Sequence, residues 1–123
     1  MDYFHRDVAQ WSRTIVTVLF YLEETTLENG CTWVVPGSHV LPGSEDESVD
    51  PALVAQALPV PMPAGGLLAL DGTLVHSAGP NRTEGTRMSM TAGYLSADEL
   101  ADADPERRVL VRGERRYRGN DRG

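Results

Sequence analysis

Three residues of this chain have the types needed to hold a metal ion: His5, Asp7 and His76. In an extended segment, positions i and i+2 point to the same side. His5 and Asp7 can then reach one ion while Arg6 points away. An imidazole and a carboxylate are two ligands of the 2-His-1-carboxylate triad, which leaves positions open on non-haem Fe(II). His76 is the natural third ligand. It ends the apolar run Leu74-Val75 and is followed by Ser-Ala-Gly-Pro-Asn. Taken singly, His-x-Asp is common, and a histidine beside an apolar strand is more often a satisfied core or surface residue. Arg87, eleven residues further on, changes the weighing. On a strand it shares a face with Ser89. Its guanidinium offers a bidentate fork to a carboxylate, and the serine adds a donor. The competing partner for Arg87 is a structural acid. The flanking Met88, Met90 and Ala92 read as core, which predicts a buried strand. His39 has no acid at ligand spacing and reads as structural, or as a support behind the ligands.

Short strands separated by turn clusters must position these residues. Thr14 to Leu22 is β-branched and aromatic, a good buried strand. Asn29-Gly30 is a turn dipeptide. Cys31 to Val35 is a second strand, stopped by Pro36-Gly37. Gly43 to Asp50 is an acidic loop. Pro51 to Ala57 reads as a short helix with Asp50 as its cap. Leu58 to Met62, interleaved with prolines, suits an edge strand. Leu67 to Asp71, Leu74 to Ser77 and Arg87 to Leu95 complete the set. Ser96 to Glu106 reads as an exposed acidic helix or loop, and the last six residues as frayed. The pattern predicts an all-β barrel or sandwich, with residues 1–95 as its core and 96–123 as a partly disordered extension.

The 123 residues suit one domain with a modest core. An apolar fraction of 41% with 24% charged residues excludes a disordered chain. No apolar run approaches a membrane span, and no basic patch precedes an apolar stretch as in a signal peptide. A cytoplasmic protein is expected. Cys31 is the single cysteine, so an intrachain disulfide is impossible, and it reads as a small buried hydrophobe. The net charge of −7 is uneven: residues 1–104 hold 4 Arg against 15 Asp and Glu, and residues 105–123 hold 7 Arg against 3 acids. The acidic body gives the basic tail no face to continue its field, so no nucleic-acid partner is expected.

Read together, His5-x-Asp7, Glu28-Asn29-Gly30-Cys31, Pro36-Gly37-Ser38-His39, Gly65-Gly66, and His76 through Gly79-Pro80-Asn81 to Arg87 resemble the phytanoyl-CoA dioxygenase family. The resemblance implies a double-stranded β-helix of the jelly-roll or cupin-like kind. It implies Fe(II) held by His5, Asp7 and His76, and 2-oxoglutarate as co-substrate, held by Arg87 and Ser89. It implies a dioxygenase that uses O2 to hydroxylate a carbon of a small molecule or carrier-linked acyl substrate, in some relatives within natural-product pathways. Related halogenases carry Gly or Ala in place of Asp7, so Asp7 favours hydroxylation. Two features depart from the family. The motifs begin at residue 5, where members carry a long preceding segment, so the barrel is expected to be incomplete at its N-terminus. Ala78 stands where some members place a co-substrate-binding Ser. The alternatives are an inactive family fragment and a cupin-like metal- or ligand-binding module. Arg87-x-Ser89 argues against the latter, which has no use for a carboxylate fork. Trp11, Tyr21 and Trp33 read as core or rim, with a place in the pocket as their alternative.

Overall fold

The structure, a computed structural model, describes residues 4–7, 15–41, 48–95 and 111–112. Six strands run through it: β1 (Ile15–Tyr21), β2 (Thr32–Val34), β3 (Leu58–Val60), β4 (Leu67–Asp71), β5 (His76–Ala78) and β6 (Ser89–Leu95). Two short helical turns join them, a 3-10 turn at Ser38–Val40 and α1 at Pro51–Val54. The strands form two three-stranded sheets, in the orders β4-β1-β6 and β3-β2-β5. Every pairing is antiparallel. Residues of both sheets line one cleft. This is the expected double-stranded β-helix architecture, with a barrel that the described strands do not close. No helix among the described residues is long and apolar enough to cross a membrane.

β1 organises the first sheet because its β-branched run suits a pleated surface with partners on both sides. Val18 pairs with Ala69 on β4 and with Ala92 on β6. Strand alternation then sorts the side chains. Thr17, Leu19 and Tyr21 turn into the cleft, as do Ser89 and Thr91 of β6. That sorting corrects one expectation. Met88 and Met90 were expected in the core, yet each is 54% exposed. Ser89 and Thr91 occupy the cleft side, so the methionines between and beside them must face outward. A methionine is no guarantee of burial.

The second sheet places β5, which carries His76. Thr32 pairs with Ala78 and Val34 with His76. Among the described residues β3 pairs with β2 alone, and it carries Pro59, as expected of an edge strand. α1 begins where expected: the Ala52 amide donates to Asp50 Oδ1 at 2.8 Å, and Pro51 takes the first helical position. It ends at Val54, shorter than the expected 51–57. β5 starts two residues later than the apolar pattern suggested, because the Leu74 amide donates to Asp71 O and closes a turn.

The core is small. Among the described residues, Val18, Tyr21, Cys31, Val35, Leu70 and Val75 are the buried apolar members of the core. Cys31 is fully buried, and burial pushes its thiol up from the ordinary range, so it packs as a hydrophobe. Most of the acidic loop, the segment 96–106 and all but 111–112 of the tail lie outside the described residues.

Candidate metal centre

The segment carrying His5 and Asp7 is stitched to β5 and to the turn before it. The His5 amide donates to His76 O at 3.0 Å, and the His76 amide donates to His5 O at 3.1 Å. The Asp7 amide donates to Gly72 O at 2.9 Å. Alternation sends Arg6 the other way, where Nε donates to Thr73 O at 2.9 Å and Nη2 to Ser38 O at 3.3 Å. The Pro-Gly-Ser-His motif thereby acquires a physical role. Gly37 takes a left-handed φ of 78°. The fully buried Ser38 accepts the Val75 amide on Oγ at 2.8 Å and the Arg6 guanidinium on its carbonyl. His39 is exposed, and its carbonyl accepts from Thr73 Oγ1. Its imidazole is not part of the cluster of His5, Asp7 and His76.

These contacts bring three donor atoms together. His5 Nε2 lies 3.4 Å from Asp7 Oδ1, and His76 Nε2 lies 3.5 Å from the same oxygen. The two rings stand 4.5 Å apart at an interplanar angle of 53°. All three ligand atoms fall within 4.8 Å of one another. His76 Nδ1 sits 2.8 Å from Leu74 O, which places its proton there and leaves the Nε2 lone pair aimed at the cleft. The donor set is two imidazole nitrogens and one carboxylate oxygen, which suits a facial triad on a divalent first-row metal.

The electrostatics agree. Burial pushes the Asp7 carboxyl up, but hydrogen bonds from His76 and Thr17 and the two nearby imidazoles outweigh it, and the net shift is downward. Burial pushes the His76 imidazole down, but Asp7 and the Leu74 carbonyl outweigh it, and the net shift is upward. Each partner favours the charged form of the other, as two groups poised around a cation site should.

Arg87 and Ser89 line the same cleft as the three ligands. Arg87 lies two residues before β6 rather than within it. Its Nη1 donates to Gly30 O and to Gly79 O. Nε and Nη2 make no hydrogen bond among the described residues, so a fork remains for a carboxylate. Gly30 is the residue that lets the guanidinium pass. Its φ is 94°, and a Cβ there would sit 2.3 Å from Gly79 O and 2.7 Å from Arg87 Nη1. The Asn29-Gly30 dipeptide is thus a clearance as well as a turn.

Four threonines that line the cleft were not singled out from the sequence: Thr17, Thr25, Thr32 and Thr91. Thr17 Oγ1 donates to Asp7 Oδ2 at 2.5 Å. The Tyr21 hydroxyl and Thr32 Oγ1 share a hydrogen bond of 2.7 Å. Alternation along β1 could have found Thr17, a polar residue of the same parity as Tyr21 in an apolar strand. Tyr21 lines the cleft, Trp33 does not, and Trp11 lies outside the described residues. The cleft measures about 210 Å³.

The family profile described as phytanoyl-CoA dioxygenase matches residues 2–89. Phytanoyl-CoA dioxygenase domain-containing protein 1 of Mus musculus is 31% identical over 91 residues, covering 62% of this chain and 31% of that protein. Dioxygenase aneA of Aspergillus aculeatus is 36% identical over 91 residues, covering 69% of this chain and 30% of that protein. The chain therefore spans about a third of the length of these curated relatives. Among solved structures, the non-heme alpha ketoglutarate dependent epimerase SnoN from nogalamycin biosynthesis superposes with a TM-score of 0.68 at 33% identity, over 78% of this chain and 41% of that one. A second crystal structure of SnoN, in complex with Fe3+, alpha ketoglutarate and nogalamycin RO, superposes with a TM-score of 0.66 at 29% identity, over 92% of this chain and 55% of that one.

Proposed function

The chain belongs to the phytanoyl-CoA dioxygenase family, and on that premise we propose that it carries the iron centre and co-substrate cleft of a 2-oxoglutarate-dependent oxygenase. One observation carries the reading: His5 Nε2, Asp7 Oδ1 and His76 Nε2 converge on a cleft that also holds Arg87 and Ser89. The three converging residues are the proposed iron ligands. Arg87 and Ser89 are the proposed partners of the distal carboxylate of 2-oxoglutarate. The SnoN complex with Fe3+ and alpha ketoglutarate supports this pairing of metal and co-substrate.

The chemistry such a centre supplies when loaded is O2-dependent oxidation of a C–H bond, with three positions left open by three protein ligands. The chain's own residues set the stage. The Leu74 carbonyl holds the His76 tautomer. Arg6 pins the segment between the other two ligands to the far side of the fold. Arg87, steadied by two carbonyls, orients a diacid in the cleft. The cleft is smaller than the ~300–1,000 Å³ of a drug-sized ligand pocket, which suits a small diacid beside a metal.

The proposed outcome is hydroxylation of a carbon in a small molecule or carrier-linked acyl substrate. Asp7 supports it over halogenation, because a carboxylate ligand occupies the position that a halide would need. Natural-product substrates have support from SnoN, a nogalamycin-biosynthesis enzyme. That neighbour is an epimerase, so product mass separates the outcomes: hydroxylation adds one oxygen atom, and epimerisation adds none.

Turnover of the co-substrate alone tests the reading. Protein incubated with Fe(II), O2 and 2-oxoglutarate should release succinate, and His76→Ala should abolish the release. Succinate formation no greater than that of His76→Ala would count against an oxygenase.

A further inference from the structure

The two oxygens of Asp7 have different neighbours. Oδ1 faces both imidazoles, at 3.4 and 3.5 Å. Oδ2 accepts the Thr17 hydroxyl at 2.5 Å. A threonine hydroxyl has one proton to give, and here it is spent on Asp7. Thr17 is only 3% exposed, so bulk water does not compete for it. Its backbone is fixed in the middle of the sheet, paired with Leu70 on one side and Gly93 on the other. A β-branched side chain on a paired strand has few rotamers. The hydroxyl is therefore held in place before any ligand arrives.

We propose that Thr17 is a positioning residue for the metal: its hydroxyl holds Asp7 Oδ2, so that the carboxylate offers Oδ1 alone to the ion. The inference rests on the iron-centre reading above and deepens it. A carboxylate free to turn about its Cβ–Cγ bond can chelate through both oxygens. A chelating Asp7 would occupy one more position on the metal, and the chelating 2-oxo acid and O2 would compete for what is left. Thr17 thus protects the open positions as well as the affinity. Hydrogen bonds to metal-ligating carboxylates orient them in this way and tune the site. In this role the side chain acts through Asp7.

Co(II) titration of the apo protein, followed by its visible absorption, reads both effects. Thr17→Ala should weaken Co(II) binding by roughly 10–100-fold, the range for loss of such a supporting contact. The Co(II) spectrum of that variant should move toward higher coordination number. Thr17→Ser keeps the hydroxyl and should restore wild-type affinity and spectrum. Thr17→Ala with wild-type affinity and spectrum would overturn the proposal. So would a Thr17→Ser variant as weak as Thr17→Ala, because the lost methyl group, not the hydroxyl, would then be responsible. If Thr17→Ala shows no cooperative thermal transition, Thr17→Val replaces it. Weak binding by Val beside normal binding by Ser supports the role, and equal binding by both overturns it. A wild-type protein that binds no Co(II) would instead defeat the metal-centre reading itself.

Discussion

His5 and His76 face each other across a two-residue antiparallel bridge, each amide donating to the other's carbonyl at 3.0 and 3.1 Å. The pairing is made by the backbone, so the fold brings the two imidazoles together without help from the side chains. His5→Ala keeps both bonds. It should leave the thermal unfolding transition close to wild type while removing tight Fe(II) binding. His5→Pro also removes the bond from the His5 amide to His76 O, and should cost a further ~0.5–1.5 kcal/mol. Calorimetry beside an anaerobic metal titration checks both. Stoichiometric iron retained by His5→Ala would mean that the ligand is elsewhere.

Arg87 should separate co-substrate from metal. Arg87→Lys keeps a positive charge but loses the planar fork. We expect 2-oxoglutarate to bind more weakly by about 2 kcal/mol, or roughly 30-fold, while Fe(II) affinity holds. Isothermal titration with each ligand decides. Equal losses for both ligands would argue that Arg87 merely braces the cleft through Gly30 and Gly79.

Gly30→Ala should be among the most damaging single substitutions. The new Cβ meets Gly79 O at 2.3 Å in a backbone with φ of 94°. The left-handed conformation alone costs ~1–3 kcal/mol for a residue other than glycine. The clash comes on top, because Gly79 O is backbone and cannot swing aside. A urea melt should show a transition shifted by at least that amount, or none. A melt unchanged from wild type would mean that Gly30 does not make the close approach described.

The histidine and aspartate titrations predict opposite pH trends for stability and for metal affinity. His76 is raised above 6.5, so its contribution to apo stability is complete below 6.5 and is lost as pH rises through its folded pKa. Asp7 is lowered below 3.8, so its contribution is present above 3.8 and is lost as pH falls through its folded pKa. The pair therefore stabilises the apo protein most between those ordinary values. Metal binding needs a neutral His76, so affinity should rise as pH climbs above 6.5, where the pair's contribution to apo stability declines. Thermal melts and Co(II) titrations across that range check the crossing. Asp7→Asn should flatten the stability trend.

The strand run Leu67 to Asp71 was legible in the sequence because its apolar residues are bounded by a glycine pair and a turn, and β4 occupies the same residues. Alternation in His5-Arg6-Asp7 was legible for the same reason, and the structure separates Arg6 from the other two as expected. The outward face of β6 was not legible. Met88 and Met90 look like core in isolation, and only the register of Ser89 and Thr91 against β1 sends them outward. Alternation along β1 marks Thr17 as a cleft-facing residue, but its hydrogen bond to Asp7 joins two segments ten residues apart, which no local pattern encodes. Gly30 was read as a turn, but the passage of Arg87 over it comes from a residue fifty-seven positions away.

The central claim is that His5, Asp7 and His76 hold Fe(II) in a cleft where Arg87 presents 2-oxoglutarate. Anaerobic absorption spectroscopy of the protein with Fe(II) and 2-oxoglutarate tests it most directly. Such a centre should give the weak visible charge-transfer band of a 2-oxo acid chelating iron. The band should be lost in His76→Ala, and in Arg87→Ala it should return only at higher 2-oxoglutarate. Folded wild-type protein that shows no such band at saturating Fe(II) and 2-oxoglutarate would contradict it.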